Sequence, residues 1–110
     1  SATGRLLMAF EPDDAKVRCW LQDDSESAWE TLGVGLATIR ERGFEEEADS
    51  LQPGVTDLAF PILSRDDRVV AALTVPYVTT SYSRRPIADV RAAAGNAAAA
   101  INAAIRGEGG

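Results

Sequence analysis

Two runs rich in β-branched and aliphatic residues, Val55 to Leu63 and Arg68 to Tyr77, stand on either side of a short polar stretch, Ser64 to Asp67. Such residues suit a pleated, half-buried surface, and turn formers between them make residues 55–78 an antiparallel β-hairpin. Its register decides which side chains share a face, because a slip of one residue turns every side chain over. A two- or four-residue loop around Asp66-Asp67 pairs Ser64 with Val69 and Leu58 with Val75. One face then carries Leu58, Phe60, Ile62, Val69, Ala71, Leu73 and Val75, a set suited to a core. The other carries Asp57, Ala59, Pro61, Val70, Ala72, Thr74 and Pro76, which are smaller and more polar. A three-residue loop would mix the two sets and bury Asp57 among large aliphatics, which is costly for an unpaired carboxylate. The even loop is therefore expected. Two readings of the small-residue face stay open. It is half-exposed or a platform for an alanine-rich helix, or it is a hollow for a small molecule with Asp57 at its mouth. Pro76, without an amide hydrogen, belongs near a strand end or an unpaired edge.

The remaining segments are mostly helical. Leu6, Leu7 and Phe10 recur at helical spacing in Ala2 to Phe10, with Pro12 closing the segment. A short amphipathic turn or helix follows, with Val17, Trp20 and Leu21 on one side. Ser27-Ala28-Trp29-Glu30 has the form of a capping box, which predicts a helix start there. Trp29, Leu32, Leu36 and Ile39 form its stripe, and Gly43 is placed to end it. Gly33 and Gly35 each cost about 1 kcal/mol against Ala in a helix. They imply either close packing or a later start. Phe44 to Ala48 reads as a strand with one acidic face in water, and Asp49 to Gly54 as a loop. Pro86 opens the last helix, whose predicted stripe is Ile87, Val90, Ala94, Ala97, Ile101 and Ala104, with Gly107 after its end.

Composition narrows the function. The 110 residues suffice for one domain over 1–110. No apolar run reaches the roughly 20 residues needed to span a bilayer, so no membrane role is expected. A lone cysteine, Cys19, excludes an internal disulfide and fits a reducing, cytoplasmic setting. A net charge of −6 argues against a phosphate-binding surface, so DNA would be touched only through another part of the protein. The chain has no histidine, which removes His-dependent triads and His metal sites.

With the hairpin placed, four stretches together resemble the C-terminal effector-binding domain of IclR-type bacterial transcriptional regulators. Ala2-Thr3-Gly4-Arg5-Leu6-Leu7-Met8-Ala9-Phe10 is similar to the family's A-x-G-R/K-x-x-L-A helix. Ile39-Arg40-Glu41-Arg42-Gly43-Phe44 is similar to its I-R-x-R-G-Y/F helix end. Gly54 to Ile62 and Arg68 to Val75 match the hairpin strands, in the same order and spacing over nearly the whole chain. The resemblance implies a GAF-like α/β (α+β) sensor fold: a curved antiparallel sheet, about three strands of it here, with helices packed on one side. It implies that an N-terminal winged helix-turn-helix and the first half of the sensor domain are absent from this stretch. It also implies a homodimer or tetramer, a small-molecule effector such as a small organic or aromatic acid, no cofactor and no catalysis. By motif position the ligand-binding residues would be Ala2, Thr3, Glu47, Asp57, Thr74 and Pro76. The sequence departs from the family at Asp57 and Pro76, where small polar residues are common, at Ala48, which interrupts an acidic run, and at Asp67, where the hairpin often has Gly. Glu47 and Asp57 would repel an anion unless one is protonated or a cation is supplied.

Other chemistry is weaker. Glu47 and Asp57 could form an acid/base pair, but nothing in the sequence sets their separation. Glu45, Glu46, Glu47 and Asp49 lack the spacing of a calcium loop and read as a solvated strand edge. Cys19 reads as a packing residue, Thr3 equally as a helix N-cap or a ligand contact, and Arg84-Arg85 as a solvated loop. A degenerate sensor domain that serves only assembly remains the alternative.

Overall fold

A computed structural model describes residues 1–21, 25–49, 51–80 and 85–107. Its elements run α1 (Ala2–Ala9), α2 (Asp14–Cys19), α3 (Glu26–Arg42), β1 (Glu45–Ala48), β2 (Val55–Leu63), β3 (Val69–Val78) and α4 (Ile87–Arg106). The strands form one antiparallel sheet in the order β1-β2-β3, which puts Pro76 on an edge strand as its missing amide requires.

The hairpin forms as expected along its body but not at its tip. Ser64 N–H donates to Arg68 O at 2.8 Å and Asp67 N–H to Ser64 O at 3.0 Å, leaving a three-residue loop, 65–67. Asp67 occupies the left-handed region at φ 62°, which Asp tolerates better than most residues and which Gly usually fills. An odd loop alone would slip the pairing. A bulge corrects it: Ile62 pairs with Ala71 but Leu63 with Val69, so Val70 is the extra residue on β3. Leu58 then lies opposite Val75 and Phe60 opposite Leu73, as the face argument requires. The expected Ser64–Val69 pair is replaced by Leu63–Val69.

Helices cover both faces of the sheet, not one. On the large-residue face, Leu58, Phe60 and Ile62 meet Ala94 and Ala98 of α4, with Phe44, Leu73, Val75, Ile87, Val90 and Ile105 around them. The ring of Phe60 stacks on Phe44 at 5.3 Å between centroids and lies against Gly95, where an added Cβ would come within 3.3 Å of it. On the small-residue face, Ala59 and Ala72 allow α1 to approach and bury Ala2, Leu6 and Ala9 with Val17, Leu36 and Ile39. The small face is thus the platform for α1, while the alanine-rich helix takes the opposite face. Burial on both sides leaves Leu58 and Ala59 with no exposed surface, and a fully buried leucine contributes about 1.5–3 kcal/mol.

Helix ends follow local chemistry. The cap of α1 is Ser1, whose hydroxyl accepts from Gly4 N–H, so Thr3 is not the N-cap. The cap of α3 is Ser25, which accepts from Ala28 N–H, two residues before the predicted Ser27. Ser27 lies inside the first turn, where its carbonyl accepts from Thr31. Gly33 and Gly35 are within α3, and a Cβ at either would meet nothing within 4 Å, so close packing is not their role. Gly43 and Gly107 end α3 and α4 at φ 89° and 78°. The line along which α4 meets the sheet is Ile87, Val90, Ala94, Ala98, Asn102 and Ile105, whereas Ala97, Ile101 and Ala104 of the predicted stripe face outward. Steps mostly of four keep the line at 3.6 residues per turn, while the predicted alternation drifts off it. Cys19 is exposed rather than packed.

Candidate functional site

Two rows of side chains cross the small-residue face. Sheet register places Glu45, Ala59 and Thr74 in one row and Glu47, Asp57 and Pro76 in the next. The start of α1 lies against the first row. Thr3 Oγ1 and Thr74 Oγ1 are 2.8 Å apart in a hydrogen bond, and Ala2 is buried beside them. Of the six residues singled out by motif position, Ala2, Thr3 and Thr74 meet at the start of α1, Glu47 is tied to α1 through Arg5, and Asp57 and Pro76 lie in the row beside them. Glu47 and Asp57, for which the sequence set no separation, are direct cross-strand partners.

Arg5, one turn beyond the start of α1, settles the electrostatics of this face, and it was absent from the sequence-derived set. Its Nε donates to Glu45 Oε2 at 2.8 Å and its Nη2 lies 2.7 Å from Glu47 Oε2. Partial burial works against its charge, but hydrogen bonds and attraction to Glu45 and Glu47 outweigh this and hold its pKa above the ordinary arginine value. The signal was present: a strand with acids at alternate positions presents them on one face, and a basic residue of the neighbouring helix can bridge them. Arg42 Nη2 reaches the other oxygen of Glu45 at 2.8 Å, so a carboxylate only 6% exposed lies between two guanidiniums. Glu46 points the other way and pairs with Arg91 of α4 at 2.7 Å. The acidic run is therefore not a solvated edge. Its members face opposite sides of the sheet, each matched by arginine, while Asp49 caps the next loop through Leu51 and Gln52 N–H.

Asp57 differs from its neighbours. It is half-buried, and among the described residues nothing donates a hydrogen bond to its carboxylate or forms an ion pair with it. The cavity of about 430 Å³ between α1, α3 and β1 lies elsewhere, lined by Arg5, Thr31, Leu32, Gly35, Thr38, Arg42 and Glu45. None of the six motif-position residues lines it. Of the Arg84-Arg85 pair, Arg84 lies outside the described residues, and Arg85 accepts from Tyr77 Oη at 2.7 Å through its carbonyl. Among the described residues no three acidic, Cys or His side chains converge as metal ligands, and no helix is long and apolar enough to cross a membrane.

Fold and face together describe a small α+β domain in which helices sandwich an antiparallel sheet. One family, bacterial transcriptional regulator IclR C-terminal, matches residues 1–103, and the chain belongs to it. Among solved structures it is similar to the C-terminal domain of the E. coli transcriptional regulator KdgR, at 23% identity and a TM-score of 0.74 over 96% of this chain and 69% of that one. It is similar to an IclR-family regulator from Rhodococcus sp., at 24% identity and a TM-score of 0.73 over 94% of this chain and 41% of that one. HmgR of Pseudomonas aeruginosa is 30% identical with a TM-score of 0.62, over 89% of this chain and 42% of that one. The chain thus spans well under half of two of these regulators. No match was found among curated proteins. The family and the structural neighbours are transcriptional regulators, not enzymes.

Proposed function

We propose that residues 1–110 form one effector-sensing unit of a cytoplasmic IclR-type regulator. It assembles as a homodimer or tetramer, and the occupancy of its small-residue face alters DNA binding by a separate winged helix-turn-helix domain. The observation that carries this reading is the contact between Thr3 and Thr74. It joins the first turn of α1 to β3 at 2.8 Å beside Asp57, so a molecule inserted there meets a helix and the sheet at once. A small molecule bound at that seam favours one arrangement of α1 over another, and only such differential affinity shifts an equilibrium. The direct test is a thermal-shift screen of small organic metabolites against the wild-type protein and Thr74→Leu. A melting temperature raised in a ligand-dependent way and lost in the variant supports sensing.

One observation favours the second reading, an assembly domain without ligand. Thr3 and Thr74 already hydrogen-bond each other, and Arg5 already pairs with Glu47, so much of the face is engaged as it stands. That reading gains if no compound stabilises the wild-type protein.

A further inference from the structure

We infer that the face beside Thr74 selects a ligand with a protonated amine, aimed at Asp57, over one with a carboxylate. This rests on the effector-sensing reading and names the ligand class of that same site.

The inference follows from which polar groups on the face are already used. Glu45 has Arg5 and Arg42, and Glu47 has Arg5. Arg5 is committed to two carboxylates of this face at 2.8 and 2.7 Å, and Arg42 to one of them at 2.8 Å. A ligand carboxylate would have to displace one of those acids and leave it beside Asp57, adding a third negative charge to the row. Asp57 is the opposite case. It is half-buried, without a donor among the described residues, and is flanked across the strands by Glu47 and by Pro76, which has no N–H to offer. A partly desolvated carboxylate without a donor is where an added ammonium gains most, because charge-assisted hydrogen bonds are about twice as strong as neutral ones. The Thr3–Thr74 pair uses one hydroxyl proton and leaves the other free. Thr74 and Asp57 are diagonal neighbours on one face, about 7–8 Å apart at Cα in ordinary sheet geometry. That span suits a short molecule with an ammonium at one end and a hydroxyl near the other, an amino alcohol.

Three probes share one carbon skeleton and differ at one end: 1-amino-2-propanol, 1,2-propanediol and lactate. Titration calorimetry on the wild-type protein should show the amine binding at least tenfold more tightly than lactate. Asp57→Asn should remove that tenfold preference. Its circular dichroism and melting temperature should match the wild type, since the Asp57 carboxylate has no partner to lose among the described residues. Asp57→Glu should retain the amine preference. Tighter lactate binding, or an amine preference that survives Asp57→Asn, overturns the inference and leaves the sensing reading intact. The same holds if none of the three binds while some other compound still stabilises the protein in a Thr74-dependent manner. If no compound binds at all, both readings fall together.

Discussion

Glu45 shows how much one side chain can decide. Its carboxylate is almost fully withdrawn from water and bridges Arg5 on α1 to Arg42 at the end of α3. Removing one partner from such a cluster leaves the others uncompensated, which costs about 3–5 kcal/mol when all are buried. Here Arg5 keeps Glu47 and Arg42 keeps the Phe44 carbonyl, and the two arginine side chains are 35% and 37% exposed, so the loss is smaller. Glu45→Ala is therefore expected to cost about 2 kcal/mol, read as a lower urea midpoint at unchanged slope. Arg18–Glu26 is the control: it is as short, at 2.6 Å, but the Glu26 side chain is 76% exposed. Glu26→Ala should stay within about 0.5 kcal/mol. In the sequence, the three consecutive glutamates all read as a solvated strand edge. Alternation along β1 divides them, and only the neighbouring helices determine which one is buried.

Among elements, α3 carries two kinds of glycine that must respond oppositely. Gly33 has helical surroundings and open space where a Cβ would go, so Gly33→Ala should stabilise by about 0.5–1 kcal/mol through helix propensity. Gly43 sits at φ 89° with its N–H donating to Ile39 O at 2.7 Å, so Gly43→Ala should destabilise by about 1 kcal/mol despite equally open space. Thermal melts of the two variants check the pair, and a common sign would contradict the assignment. The last helix offers a second example. Asn102 is polar but lies on the contact line, because its amide serves the stretch of β2 beyond the end of β1. Oδ1 accepts from Leu63 N–H at 2.8 Å and Nδ2 donates to Pro61 O at 3.1 Å. Composition marks the helix as alanine-rich, but only the lie of the strand explains why an amide belongs there.

For the molecule as a whole, the sheet is the shared middle layer, and α4 is joined to it chiefly around Phe60. That ring is 7% exposed, stacks on Phe44 and rests against Gly95. Phe60→Ala should cost about 3–4 kcal/mol. A domain of this size has only about 5–15 kcal/mol in total. Chemical denaturation should show a loss of that order, and a cost under about 1 kcal/mol would mean that α4 is not anchored there.

Sequence alone determined the local facts: the two strands, the division of β2 and β3 into a large and a small face, and the glycine stops. These follow from periodicity, side-chain branching and turn chemistry, which act over a few residues. Tertiary structure decided what those patterns leave degenerate. An even loop and an odd loop followed by a bulge give the same faces, so the tip was settled only by Asp67 adopting a left-handed backbone. Either helix could have taken either face by composition. Volume decided it, with α1 lying over Ala59 and Ala72 and α4 receiving Phe60 at Gly95. The charge state of the candidate site depended on Arg5 reaching across from another element. Contacts between residues 40 positions apart arise from packing in three dimensions, which no short window of sequence encodes.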